Sequence, residues 1–299
     1  MSVVKTRALT KRFGNKAAVD TFDMQVNKGD IYGFVGHNGA GKSTVMRMLS
    51  GLTTPTEGTV EVFGSPVDTS GAKKLGVLID GPGLYPTMSA YDNLMLKCLC
   101  VGVVSPKQTT VELLDFVGLA DVGKKASRFF STGMKQRLGL ALALVGNPDL
   151  LLLDEPLNGL DPEGSREIRQ LIIRLNEERG LTVIISSHIL DQLGRMCNRY
   201  GVIRAGRMVA ELTTEQVAQE CSAYLHLETS DPAKALAVLQ ERFTSLDFTA
   251  MPDGALRISG AADAGLIGAA LAEAGIAVTS LYTHRRDLED FFVEMMGGN

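Results

Sequence analysis

One stretch constrains this chain more than any other, and it is a glycine-rich loop. The loop consists of Gly36, His37, Asn38, Gly39, Ala40, Gly41, Lys42, Ser43 and Thr44. It matches a phosphate-binding loop at every fixed position: a glycine, four free positions, then Gly-Lys followed by Ser or Thr. The apolar run at residues 30–35 predicts a buried strand before the loop, and the apolar spacing at residues 45–49 predicts a helix after it. Strand, glycine loop and helix are the context that this motif requires.

The residue types of the loop indicate what it binds. Glycines let the backbone turn so that successive N–H groups point inward around phosphate oxygens, and the following helix adds its positive N-terminal end. We expect Lys42 to reach the β- and γ-phosphates and the Ser43 hydroxyl to bind Mg²⁺. The loop therefore predicts a site for a nucleoside triphosphate with magnesium.

Two carboxylates follow the most apolar run of the chain. Residues 150–153 are all leucine, which predicts a central parallel strand buried on both faces, and Asp154 and Glu155 come directly after it. Ligands in open α/β sheets bind at the carboxyl ends of the strands. We expect Asp154 to hold Mg²⁺ and Glu155 to accept a proton from the water that attacks the γ-phosphate. His188 follows the next predicted strand, at residues 181–186, and is expected to contact the γ-phosphate.

Composition limits the class of protein. The 299 residues are 45% hydrophobic and 21% charged, which suits a globular protein of one large or two ordinary domains. A net charge of −4 provides no overall basic field, so we expect no nucleic-acid partner. The first residues lead straight into a strand-like run, which predicts no secretory signal, and no apolar stretch reaches the ~20 residues of a membrane span. The cysteines form no C-x-x-C pair, which favours free thiols in the cytosol.

The rest of the chain predicts an α/β fold with two additions. Residues 3–8 are expected to form an edge strand, and Phe13 follows in a polar turn where its ring could stack on a purine. Residues 84–147 read as a mostly helical insertion between strands. Residues 221–299 read as strand, helix, two strands, helix, strand and a final helix, which suggests a small ferredoxin-like α+β module with an accessory or dimerising role.

A GTPase is one alternative. Residues 27–30 fit the guanine-reading pattern N-K-x-D, and residues 80–83 fit D-x-x-G. In GTPases, however, the guanine motif follows the phosphate loop, whereas here it precedes it. The order of the motifs therefore argues against this interpretation.

The segment at residues 130–137 gives the chain its family resemblance. It reads Phe-Ser-Thr-Gly-Met-Lys-Gln-Arg, shortly before the Asp-Glu strand. It resembles the signature of the ATP-binding-cassette (ABC) ATPases, commonly Leu-Ser-Gly-Gly-Gln followed by basic residues. The chain most resembles the ATP-binding subunits of bacterial bacitracin-resistance and lantibiotic-immunity exporters. The specific motifs cover residues 1–220, which predicts an ABC nucleotide-binding domain there and an accessory domain at 221–299.

The resemblance implies a mechanism and partners. Two subunits would form a head-to-tail dimer, as a homodimer or with a paired ATPase subunit, in which Ser131, Thr132 and Gly133 of one subunit close over ATP on the loop of the other. The resemblance also implies roles for single residues: Phe13 as the adenine-stacking aromatic, Glu155 as catalytic base, His188 as switch histidine and Asp161 as the residue that signals across the dimer. It implies membrane-spanning permease subunits as partners, at the inner face of the cell membrane.

Three positions depart from the family pattern. Asp80 stands where the family usually has a glutamine that touches Mg²⁺ and the attacking water, and Thr132 and Met134 replace a glycine and a glutamine of the signature. We expect Asp80 to alter metal affinity or slow hydrolysis, and Thr132 to loosen dimer closure.

Two other functions stay open beside the exporter motor. One is a soluble ABC ATPase acting in DNA repair or translation, and the other is a non-catalytic, nucleotide-gated binding module. The chain has one phosphate loop, one signature and no sustained heptads, and it retains Glu155. These features favour the exporter motor.

Overall fold

The computed structural model describes residues 1–67, 75–285 and 287–297. They divide into two compact units. The first contains residues 1–214 together with the segment that begins at Phe292, and the second contains residues 215–291.

The first unit contains most of the strands. In chain order its elements are β1 (Ser2–Phe13), β2 (Lys16–Asn27), β3 (Ile31–Val35), α1 (Lys42–Leu49), β4 (Glu57–Val62), β5 (Ser65–Pro66), β6 (Leu75–Leu78), α2 (Ala90–Val101), α3 (Pro106–Phe116), α4 (Thr132–Leu144), β7 (Leu150–Asp154), α5 (Pro162–Arg179), β8 (Thr182–Ser187), α6 (Leu190–Gly194), β9 (Arg199–Arg204) and β10 (Arg207–Thr213). Two short 3₁₀ helices, Ala120–Val122 and Ser127–Phe129, lie between α3 and α4.

A six-stranded sheet positions the candidate site. Its order is β10-β9-β3-β8-β7-β6. The strands from β9 to β6 run parallel, and β10 pairs antiparallel with β9. Every residue of β3 and β8 is buried, as are the leucines of β7, which confirms the predicted buried central strand. The carboxyl ends of β3, β7 and β8 therefore meet at one edge, where the predicted site residues follow each strand.

A second, antiparallel sheet of order β2-β1-β4-β5 packs on this frame. The rings of Phe22 on β2 and Phe34 on β3 meet edge to face, with centroids 5.7 Å apart. The prediction of an edge strand at residues 3–8 was wrong, because β1 pairs with β2 on one side and with β4 on the other. The local alternation of residues predicts a strand but carries no information about a partner that lies some fifty residues further along the chain.

The predicted helical insertion contains α2, α3 and α4. Helix α2 begins after Ser89, whose side chain accepts a hydrogen bond from the backbone N–H of Asp92 and so satisfies one free donor of the first turn. In the parts of the chain that the structure describes, none of the helices is both long enough and apolar enough to cross a bilayer.

The second unit has its own sheet and core. Its elements are β11 (Tyr224–Thr229), α8 (Pro232–Arg242), β12 (Asp247–Ala250), β13 (Leu256–Ser259), α9 (Ala264–Glu273) and β14 (Val278–His284). Helices α7 (Thr214–Glu220) and α10 (Leu288–Met295) lie at its two boundaries. The antiparallel sheet has the order β12-β13-β11-β14, and its core includes Leu227, Ile258 and Leu271.

Candidate functional site

The glycine loop connects β3 to α1, as the sequence predicts. Gly39 and Gly41 have φ values of +80° and +113°, a conformation that favours glycine. A Cβ built on Gly41 would also lie 2.7 Å from the carbonyl oxygen of Ala18. Glycine is therefore required at position 41 both by the backbone turn and by the space available, and α1 begins at the next residue, Lys42.

The loop borders a cavity of about 650 Å³. Its lining residues are Phe13, Lys16, Ala17, Ala18, His37, Asn38, Gly39, Gly41, Lys42, Ser43, Thr44, Glu155, Ala205 and Gly206. Gly36 and Ala40 also belong to the loop but are buried. The structure thus brings the glycine loop, Phe13 and Glu155 together, although they are far apart in the sequence. Sequence reasoning did not identify Lys16 or the turn at Ala205 and Gly206 as parts of this cavity.

Lys42 provides a cation at the floor of the cavity. Its side chain is 6% exposed, and its ammonium donates hydrogen bonds to the carbonyl oxygens of Gly36 at 2.5 Å and His37 at 3.3 Å. Its Nζ atom lies 3.7 Å from Glu155 Oε1. Burial lowers the pKa of Lys42, and the negative charges of Glu155 and Asp154 oppose this shift.

Glu155 links Lys42 to His188. The second carboxylate oxygen of Glu155, Oε2, lies 2.8 Å from His188 Nδ1. The backbone of Glu155 has a φ of +50°, which is uncommon for a residue with a side chain. Ser186 stabilises this conformation, because its carbonyl oxygen and its hydroxyl both accept from the Glu155 N–H, at 3.2 and 3.0 Å.

Ser186 also fixes the neighbouring carboxylate. Its hydroxyl donates a hydrogen bond of 2.5 Å to Asp154 Oδ1. One serine thus positions both acidic residues that follow the strand of leucines. Sequence reasoning missed Ser186, although its place at the carboxyl end of β8, the strand beside β7, was a signal that could have identified it.

Phe13 lies at the end of β1, and 57% of the residue is exposed. Lys11 Nζ is 5.3 Å from the ring centroid. The exposed ring borders the cavity, so that a flat aromatic ligand could stack on it.

Four other predicted residues, Ser131, Thr132, Gly133 and Asp161, line part of a different cavity, of about 360 Å³. Ser131 begins α4 and accepts a hydrogen bond from the Met134 N–H at 3.2 Å. Asp161 begins α5 and accepts one from the Gly164 N–H at 2.8 Å. The chain therefore carries two separate sets of predicted site residues.

Two predicted metal contacts lie outside the lining of the main cavity. Neither Asp154 nor Asp80 is among the described residues that line it. Asp154 ends β7, next to Glu155, whereas the Asp80 carboxylate pairs with the Arg47 guanidinium on α1 at 2.6 Å. The role of Asp80 as a metal contact stays a prediction.

The geometry defines a class of protein. A glycine loop that opens a helix, a buried lysine, and carboxylates at the end of a neighbouring parallel strand are the features of a phosphate-loop ATPase. The family model described as ABC transporter matches residues 19–158.

Known proteins match over larger parts of the chain. The bacitracin transport ATP-binding protein BcrA of Bacillus licheniformis is 38% identical over 301 residues, covering 99% of this chain and 98% of its own. The lantibiotic transport ATP-binding protein SrtF of Streptococcus pyogenes is 40% identical over 209 residues, covering 70% and 90%.

Solved structures match as well. A dimeric ATP-binding cassette in a post-hydrolysis state, bound to ADP and Pi, is 26% identical with a TM-score of 0.64 and covers 71% of this chain and 98% of its own. The protein cbiO1 of Clostridium perfringens, part of the ABC transporter complex cbiONQ, is 26% identical with a TM-score of 0.66 and covers 73% and 91%. The chain belongs to the ABC transporter family, as an ATP-binding ATPase subunit with the cassette fold.

Proposed function

We propose that the chain is the Mg-ATP-driven motor subunit of an exporter, which acts with separate membrane-spanning permease subunits at the inner face of the cell membrane. The observation that carries this proposal is the connected series Lys42, Glu155 and His188 beside a phosphate loop. The relatives that transport bacitracin and a lantibiotic suggest a peptide antibiotic as the cargo. A soluble ABC ATPase is the competing interpretation.

The residues that line the cavity, and His188 beside Glu155, have complementary roles in this proposal. The ammonium of Lys42 and the backbone N–H groups of the loop bind the β- and γ-phosphates and orient the γ-phosphate for attack in line. Glu155 accepts the proton of the attacking water. His188, 2.8 Å from that carboxylate, orients it and contacts the γ-phosphate. The ring of Phe13 stacks on adenine.

The residues present also fit Mg²⁺. Magnesium prefers oxygen ligands, and it is usually held by one or two protein groups together with phosphates and water. The Ser43 hydroxyl in the cavity and the Asp154 carboxylate, which Ser186 orients, provide such a set. Within the described residues no group of three or more His, Cys, Asp or Glu could hold a metal ion. Bound magnesium would neutralise phosphate charge.

The separation of the two sets of site residues supports a head-to-tail dimer. In such a dimer Ser131, Thr132 and Gly133 of one subunit cover the nucleotide on the loop of the other. The N–H groups at the start of α4 then point toward the γ-phosphate, where the positive end of the helix stabilises its charge. Asp161, at the start of α5, lies in the same cavity as this triplet and is suited to contact the partner subunit.

A largely apolar groove is suited to the permease. It has a volume of about 700 Å³ and is lined by the loop that includes Ile79 and Pro82 and by residues of α2 and α4, among them Leu96 and Leu142. Grooves of this kind receive an apolar helix or loop of a partner protein. We propose that the membrane helices of the permease subunits dock here, between the Asp80 loop and the helical insertion at residues 84–147.

We also infer that residues 1–220 act as the nucleotide-binding domain and residues 221–299 as an accessory ferredoxin-like module. The order strand, helix, two strands, helix, strand supports this inference, as does the sheet order with the first and third strands at the centre.

The first test is Mg-ATP turnover by the purified chain and by its Glu155→Gln variant, with the oligomeric state measured in ATP. We expect the wild type to hydrolyse ATP, and the variant to lose turnover by about 100-fold or more while forming an ATP-bound dimer. Wild-type protein that neither hydrolyses ATP nor dimerises would contradict the motor function. Co-purification with ribosomes or DNA, instead of a membrane protein of several spans, would support the soluble ATPase.

A further inference from the structure

We propose that Arg47 is a positioning residue that holds the Asp80 carboxylate away from the nucleotide cavity, so that Asp80 contacts the metal only after this ion pair opens. The inference rests on the proposed function, since it concerns the magnesium site described there. It assigns a role to a residue that the sequence patterns do not single out.

The Arg47–Asp80 contact has the geometry of a strong ion pair. Arg47 Nη2 donates to both carboxylate oxygens of Asp80, at 2.6 and 2.7 Å, and Nε donates to Oδ2 at 3.1 Å. Such forked contacts are specific to arginine, because its planar guanidinium matches the shape of a carboxylate. Asp80 has a φ of +61°, so its backbone also adopts an uncommon conformation in this arrangement.

The position of Arg47 relates it to the metal site. It lies four residues after Ser43 in α1, and residues at this spacing share one face of a helix. Its neighbours Met46 and Met48 are buried, whereas the Arg47 side chain is 41% exposed. Arg47 therefore extends from the helix that starts at Lys42 toward the edge of the sheet where β6 and β7 end.

The charges indicate why an arginine suits this place. Asp80 carries a negative charge, whereas the glutamine that the family usually has at this position carries none. The pairing with Asp80 raises the pKa of Arg47, and Asp154 adds a smaller attraction in the same direction. The positive charge of Arg47 compensates the negative charge of Asp80, so that the pair as a whole adds no net charge.

The ion pair also connects the site to the apolar groove. Asp80 lies between Ile79 and Gly81, and both of these residues line the groove of about 700 Å³. A movement of this loop changes the distance between Asp80 and Arg47. Docking in the groove can therefore alter this ion pair.

The test measures Mn²⁺ binding, by electron paramagnetic resonance, to the full chain saturated with a non-hydrolysable ATP analogue. Four proteins are compared: wild type, Arg47→Gln, Asp80→Asn and the double variant. Removal of a positive charge tightens Mn²⁺ binding whichever residue stands at position 80. The informative quantity is therefore a ratio of two fold-changes in Mn²⁺ affinity. The first is the fold-change caused by Arg47→Gln with Asp80 present, and it is divided by the fold-change that the same substitution causes with asparagine at position 80. We expect a ratio of about fivefold or more, because a released carboxylate binds a divalent cation more tightly than the neutral amide oxygen of asparagine does.

Equal effects in the two backgrounds, with analogue binding intact, would overturn this inference and leave the proposed function standing. If the wild type bound no analogue with the metal, both would fail. The matched control is Arg47→Lys, which keeps the charge but lacks the fork. Measured with aspartate and with asparagine at position 80, this variant is expected to release Asp80 in part and to give a smaller ratio above one. A ratio of one would show that a lysine holds Asp80 as well as the forked contact does and would overturn the role of the fork.

Discussion

His188 Nδ1 lies 2.8 Å from Glu155 Oε2, just beyond the ends of two adjacent parallel strands. The same carboxylate reaches Lys42 with its other oxygen at 3.7 Å. A side chain shared between a lysine and a histidine is held in one orientation, which general base catalysis requires.

Replacement of His188 by alanine is therefore expected to lower kcat by about 100-fold while KM for ATP changes little, because the phosphate contacts of the loop stay intact. Steady-state ATPase kinetics measure this split. The matched control is His226→Ala in the second unit, since His226 pairs with Glu228 at 3.2 Å and is not among the described residues that line the nucleotide cavity. A change in KM alone for His188→Ala would contradict a role in positioning Glu155.

Phe13→Ala is expected to weaken ATP binding by about tenfold, since stacking of a base on an aromatic ring contributes about 1–3 kcal/mol. Titration with a fluorescent ATP analogue measures the loss. Inorganic tripolyphosphate has no base, and its affinity should stay the same in this variant. Phe129→Ala is the control. Like Phe13, Phe129 is an exposed aromatic residue with a cation near its ring: it is 60% exposed, and the guanidinium carbon of Arg128 lies 4.7 Å from the ring centroid. Phe129 is not among the described residues that line this cavity.

Mixing two inactive variants tests the head-to-tail dimer. Lys42→Ala and Ser131→Ala should each abolish turnover, because every site needs the lysine of one subunit and the serine of the other. A mixed dimer contains one intact site and one site that lacks both groups. An equal mixture should regain about a quarter of wild-type turnover, since about half of the dimers are mixed. No recovery, with mixed dimers shown to form, would argue against this arrangement.

Tyr32 allows a prediction of stability against pH. Its hydroxyl is fully buried and donates to Glu211 Oε1 at 2.7 Å. Tyr32→Phe should cost about 1–3 kcal/mol in free energy of unfolding at neutral pH, because the Glu211 carboxylate loses a buried partner. Urea denaturation measures the loss, and Tyr85→Phe, at a ring that is 56% exposed, should have almost no effect.

The free energy of unfolding at alkaline pH distinguishes the contribution of the Tyr32 hydroxyl from a simple packing effect. Burial, followed by the charge of Glu211, raises the pKa of Tyr32 well above its usual range. A group whose pKa is raised in the folded state stabilises the fold below its unfolded pKa of about 10, and the stabilisation is lost as pH rises through the folded pKa. Between these values the wild type should lose about 1.4 kcal/mol per pH unit more than Tyr32→Phe. Parallel curves would contradict the assignment.

Local patterns were sufficient for much of the fold and part of the site. The loop with its strand and helix, the buried leucine strand and the helical segment before it follow from spacing and polarity within short windows. Phe13, Lys42 and Glu155 were named from such windows, and the structure brings them to one cavity. Their catalytic and binding roles stay predictions.

Other features depend on partners that are distant in the sequence. Ser186 donates a hydrogen bond to Asp154, which lies 32 positions away in the sequence, and Arg47 pairs with Asp80, which lies 33 positions away. No periodicity relates such residues, because the order of strands in the sheet decides which loops become neighbours. For the same reason the sequence alone placed β1 at an edge, although β4 pairs with its second side.

The left-handed backbone at Glu155, with φ of +50°, has a consequence for engineering. Glycine adopts this conformation without penalty, whereas a residue with a Cβ pays about 1 kcal/mol. A screen that rewards heat resistance alone would therefore select Glu155→Gly wherever this backbone gain exceeds the loss of the carboxylate contacts with Lys42 and His188. Mutant libraries designed to increase the thermostability of this protein should therefore keep Glu155 unchanged and vary other positions.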